Sequence, residues 1–150
     1  MDLMPDDIRA RLLANGAVPQ ETDHLPAVTY FDPCGAATWI ITELTPAEAE
    51  GVEPDILFGL CDLGLGCPEL GYVSLSELRS VTGRLGLGIE RDLYFRARYP
   101  LSVYAHAADR RGRIVESDAA LAESAAILGI APAEEPNPSK SDPEGSDRRG

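Results

Sequence analysis

Apolar positions along the chain follow two rhythms. In residues 5–15 they fall at Ile8, Leu12 and Leu13, a one-sided spacing that predicts a short amphipathic helix. Pro5 suits its first position, Asp6 and Asp7 favour the positive end of the helix dipole, and Asn15-Gly16 is a stop signal. After that the rhythm changes to short apolar runs between turn residues. Residues 27–31 and 37–44 read as two strands joined by the turn Asp32-Pro33-Cys34-Gly35, in which proline presets φ. The stretch from Thr45 to Pro54 reads as a loop holding one helical turn. Residues 55–63 and 69–73 read as a second pair of strands, antiparallel across a turn at residues 64–68.

Ser74 and Glu77 then fit a capping box for a short helix over residues 75–81, ending near Gly83. Residues 83–88 are glycine-rich and predict a loop. Residues 90–97 alternate charged and apolar side chains and predict a half-exposed edge strand. Residues 100–108 predict a helix with Leu101, Tyr104 and Ala105 inward, and residues 119–128 have weaker helical character. Hairpin-spaced strands followed by helices, with no regular βαβ alternation, predict an α+β fold. Its core is a mainly antiparallel sheet of about five strands with two or three short helices. The expected organisation is one domain over residues 1–115, a helical extension over 116–131, and a disordered acidic tail over 132–150, which is too poor in apolar residues to offset chain entropy.

Composition adds a location and a partner class. A chain of 150 residues with 44% hydrophobic content is one ordinary domain with a real core. No apolar run approaches the roughly 20 residues that span a bilayer, and the acidic N-terminus lacks the pattern of a secretory signal. Three cysteines, Cys34, Cys61 and Cys67, fit free thiols in a reducing compartment, so the expected location is the cytoplasm. The net charge of −12 is unevenly spread. From Leu12 to Leu78 there are 11 acids and no Lys or Arg, whereas residues 78–115 hold eight arginines against three acids. A nucleic-acid binder shows a dominant basic surface, so direct nucleic-acid binding is disfavoured.

Motifs with chemical meaning are few. Gly64-Leu65-Gly66 and Gly86-Leu87-Gly88 are each followed by strand-like sequence and do not open a helix, so both read as turns and not as phosphate loops. Cys61 and Cys67 lack the spacing of a structural zinc pair. With His24 and His106 elsewhere, the expectation is no metal site and no cofactor. Trp39, Tyr30 and Phe31 read as core aromatics, since no basic residue interleaves with them. Glu43, Asp62 and Glu69 each fall at or near a predicted strand end. If those strands are neighbours, the three could converge to hold a divalent cation or to act as acid and base. The competing reading is that they cap turns or pair with arginines. Arg91, Arg96 and Arg98, with Arg110, Arg111 and Arg113, form a basic patch that either pairs with the acidic half or contacts a small anion or nucleic acid.

Three ordered stretches, residues 37–44, 58–64 and 68–78, followed by Ile89-Glu90-Arg91-Asp92-Leu93-Tyr94-Phe95, resemble the bacterial family filed as domain of unknown function 2958. The likeness covers about residues 5–113 and leaves the tail outside. It implies no activity and assigns no catalytic residue. It implies a setting: members tend to be encoded on plasmids and integrative conjugative elements, near replication, conjugation and anti-restriction genes. With the charge pattern, the leading expectation is a non-enzymatic accessory protein. It would bind a basic partner protein through an acidic face comprising Glu43, Glu48, Glu50, Glu53, Asp55, Asp62 and Glu69, in the sharpest form as a DNA mimic acting against host defence. The alternative expectation is a carboxylate- or metal-dependent, hydrolase-like enzyme built on Glu43, Asp62 and Glu69.

Overall fold

The computed structural model describes residues 1–46 and 55–134. The predicted loop residues Glu48, Glu50 and Glu53, and all but the start of the predicted tail, lie outside the described residues. Within them the elements run α1 (Asp6–Gly16), β1 (Val28–Phe31), β2 (Thr38–Thr45), β3 (Ile56–Asp62), β4 (Glu69–Ser74), α2 (Leu75–Ser80), β5 (Glu90–Arg91), α3 (Leu101–Arg111) and α4 (Asp118–Leu128). The sheet order is β4-β3-β2-β1-β5 and every pairing is antiparallel. The α+β architecture expected from the sequence is present, with four helices among the described residues where two or three were expected.

The sheet is covered on both faces, because its central strands carry apolar residues on alternate sides. On one face Val28, Tyr30, Trp39, Ile41, Leu44 and Leu57 pack with Ile8 and Leu12 of α1 and Leu75 and Leu78 of α2. On the other, Ile40 and Leu60 pack under Leu101, Val103, Tyr104 and Ala107 of α3, and α4 closes over α3 through Leu121 and Ala125. Two of these contacts are anchored by polar groups. The Tyr30 hydroxyl donates to the Leu3 carbonyl at 2.5 Å and pins the N-terminus beneath β1. Asn15 Nδ2 donates to the Thr42 carbonyl at 2.9 Å, at the bulge that interrupts the β2–β3 register between Ile41 and Glu43.

The turns follow sequence chemistry closely. Asp32 Oδ1 accepts from the Cys34 N–H at 2.9 Å in the β1–β2 turn, and Ser74 Oγ accepts from the Glu77 N–H at 3.0 Å to cap α2. Gly16 is needed for a different reason than a helix stop. The helix continues into Ala17 in right-handed geometry, and a Cβ on Gly16 would lie 2.6 Å from the Leu44 carbonyl oxygen.

One predicted element is much shorter than its alternation implied. Of residues 90–97 only Glu90 and Arg91 pair as strand, opposite Phe31 and Tyr30. Asp92 donates one more bond to the Thr29 carbonyl, and then its own carboxylate accepts from the Tyr94 N–H at 2.9 Å and turns the chain. A side chain that offers the backbone a local partner competes with the ladder, and here it wins.

Candidate functional site

The three carboxylates singled out in the sequence do not meet. Asp62 pairs opposite Thr38 and Glu43 opposite Phe58, four residues further along β3, which separates them by roughly 13 Å of strand. Glu69 lies opposite Cys61 and therefore projects from the face opposite to Asp62. Asp62 is only 3% exposed. Its Oδ1 accepts from the Gly64 N–H at 2.8 Å and its Oδ2 from the Ile114 N–H at 2.9 Å. It joins the β3–β4 turn to the segment between α3 and α4, and both oxygens are occupied in doing so. The turn-capping alternative thus describes Asp62. Among the described residues no group of three His, Cys, Asp or Glu side chains is placed to hold a metal ion.

The remaining predicted binding residues divide in the same way. Asp55 is held by Arg9 at 2.6 Å. Glu69 is exposed. Arg91 donates from Nε to the Asp2 carbonyl at 3.1 Å and so ties β5 to the N-terminus. Arg110 and Arg111 reach Glu123 of α4 at 3.1 and 3.8 Å. All three cysteines are free thiols, and burial pushes Cys61 up to about 11, which keeps it protonated and unreactive at neutral pH. His106 shares a 2.9 Å hydrogen bond with Ser124 between α3 and α4.

Two concavities among the described residues are lined by binding residues expected from the sequence, Glu43 in one and Arg96 and Arg98 in the other. The first, of about 720 Å³, lies on the α3 face between the sheet and the strap of residues 18–24. Glu43, Phe58 and Tyr72 form a row across β2, β3 and β4 on its floor. The Phe58 and Tyr72 rings meet at 5.0 Å in a tilted contact. Leu70 and Tyr72 are 51% and 74% exposed, although they belong to a strand. The strap is fixed to α3 at two points. His24 accepts from the Leu101 N–H at 3.0 Å, and Asp23 accepts from the backbone and hydroxyl of Ser102, placing a negative charge at the positive end of α3. Glu21, Asp23 and Glu43 line the groove, and among the described residues no Lys or Arg does. Sequence reasoning found Glu43 but missed Leu70 and Tyr72, whose alternation with Gly71 and Val73 was the available signal.

The second concavity, about 690 Å³, lies beyond β5 and is lined by Asp92, Tyr94, Phe95, Arg96, Arg98, Tyr104, Glu116 and Asp118, with residues 133 and 134 at its rim. Burial, and then the nearby Asp92 charge, hold the Glu116 carboxyl above the usual carboxylate range. The predicted basic patch thus divides: Arg96 and Arg98 line this cleft, while Arg91 is tied to the N-terminus.

A protein-family model described as protein of unknown function (DUF2958) matches residues 3–115, about three quarters of the chain. The chain belongs to this family. Comparison with curated proteins and comparison with solved structures each returned no match. The family match contains every residue lining the groove, whereas Glu116, Asp118 and the rim of the second cleft fall outside it. The groove therefore lies wholly within the family domain.

Proposed function

We propose that this protein is a non-enzymatic accessory protein that binds a basic segment of another protein in the groove on the α3 face. One observation carries the reading: a groove of about 720 Å³ presents Glu21, Asp23 and Glu43, with no Lys or Arg among the described residues that line it, beside exposed Leu70 and Tyr72. Exposed apolar side chains set beside charges of one sign steer an oppositely charged partner and then hold it by burial. The acidic face expected from the sequence is narrowed by this geometry, because Asp62 is consumed internally and Asp55 is paired with Arg9.

In the cytoplasm of a bacterium carrying a plasmid or conjugative element, the partners that match such a groove are DNA-handling proteins, whose own binding surfaces are basic. Mimicry of DNA toward a restriction or other defence enzyme is the sharpest form of the proposal. Among the described residues no helix is long and apolar enough to cross a membrane. The test is affinity purification of the full chain from its host at low and moderate salt, followed by binding measurements with the recovered partner. Salt-sensitive binding that falls at least tenfold in Glu21→Lys/Glu43→Lys supports the reading. Binding that ignores both salt and the double reversal, or direct recovery of nucleic acid, contradicts it.

A further inference from the structure

One edge of the sheet is open, and its chemistry specifies how a partner attaches. Among the described residues β4 pairs with β3 alone, in an unbroken register from Glu69 opposite Cys61 to Ser74 opposite Ile56. The Leu75 N–H donates to the Asp55 carbonyl at 2.9 Å, one step beyond that register. Bonded and non-bonded pairs alternate along an antiparallel ladder. Glu69, Gly71 and Val73 therefore direct their backbone groups to β3, and Leu70 and Tyr72 direct theirs outward. Ser74 faces outward by the same alternation and caps α2; Leu70 and Tyr72 are the outward residues that also have exposed apolar side chains on the groove face.

Sheet edges are ordinarily guarded by lysine, proline, bulges or brevity. β4 has six residues, contains no Lys, Arg or Pro, and shows no register shift. A Cβ on Gly71 would meet nothing within 4 Å, so the sheet face at Gly71 is open.

We infer that β4 is a strand-addition site, at which an extended segment of a basic partner protein pairs with the outward backbone groups of Leu70 and Tyr72. The inference rests on the groove reading and gives it a binding mode. Backbone pairing supplies affinity without sequence, and the side chains on alternate faces supply choice. On the groove face the added segment sets apolar side chains against Leu70 and Tyr72; Glu43 lies two strands further in, across Phe58, so its charge steers the segment and does not pair with it. On the opposite face a cation meets the exposed Glu69. A second copy of this chain fits poorly, since each copy carries a net charge of −12.

The test uses the full ¹⁵N-labelled chain and two synthetic probes. One is a seven-residue peptide alternating valine and arginine, and the other is the same peptide N-methylated at the backbone nitrogens of one edge. Strand addition predicts that the first peptide slows amide exchange at Leu70 and Tyr72, and that methylation weakens binding at least tenfold. Equal binding by both peptides, or no binding at millimolar concentration, overturns strand addition. Glu21→Lys/Glu43→Lys separates the two readings. If methylation matters and the reversals do not, strand addition stands and the groove reading fails. If the reversals matter and methylation does not, the groove reading stands and strand addition fails. A free chain that sediments as a dimer with Leu70 and Tyr72 already protected makes a second copy the occupant and overturns the inference as stated.

Discussion

The two edges of this sheet are built on opposite principles. β5 is two residues long, is tied to the N-terminus through Arg91, and is turned away at once by the Asp92 side chain. β4 is three times longer, meets no such turn within its length, and leaves two large apolar side chains in water. Both edges belong to one sheet, so stability alone does not require the difference. An edge closed on one side and left open on the other is what the strand-addition proposal requires, and it places the proposed working side at β4.

The comparison is sharpened most strongly by two glycines that face each other. Gly59 of β3 and Gly71 of β4 are register partners. A Cβ on Gly59 would lie 2.0 Å from the Ile40 carbonyl oxygen, whereas one on Gly71 meets nothing within 4 Å. Gly59→Ala is expected to lose roughly 3 kcal/mol or more, by overpacking against backbone that cannot retreat. Gly71→Ala should stay within about 0.5 kcal/mol of wild type. Urea denaturation of both variants measures the contrast, and equal losses would remove the distinction between interior and open edge.

Next in size is Asp62. Replacing it with Ala strands the N–H groups of Gly64 and Ile114, so a loss of about 2–3 kcal/mol is expected by the same denaturation assay. Binding by whatever folded protein remains should be unchanged, since Asp62 faces neither the groove nor the edge. On the closed side, Thr29 is 1% exposed and its hydroxyl has no partner among the described residues. Thr29→Val is expected to gain about 0.5–1 kcal/mol, read as a higher melting temperature.

The smallest effect concerns Glu116, in the cleft beyond β5. Burial raises its folded pKa above the unfolded value, so its stabilising contribution is complete below the usual Glu range and is lost as pH rises through the folded pKa. Glu116→Gln should therefore melt higher than wild type at pH 8, with the gap closing toward pH 4. A gap that widens on acidification would show that the cleft favours the ionised carboxylate.

The two hairpins and the capping of α2 were legible in the sequence because they rest on local signals: short apolar runs between turn residues, Asp32 in its turn, and Ser74 three residues before Glu77. The length of β5 was misread because alternation of charged and apolar residues after Arg91 imitates a strand, while the decisive contact is one Asp92 side-chain bond. The role of Asp62 was illegible for another reason. Its second partner, Ile114, is brought to it only when α3 has packed on the sheet and ended at Gly112, whose φ of +71° reverses the chain. The groove has the same origin, since the strap and β4 share it only after His24 has met Leu101.

The most direct test of the working-side claim is amide hydrogen exchange on the full chain, with and without the partner recovered from the host. The account predicts slowing on binding at residues 69–74 and across the strap of residues 18–24, with β5 and residues 92–98 unchanged. Slowing confined to β5 and the arginine-bearing segment after it, with β4 exchanging as fast as in the free protein, would contradict it.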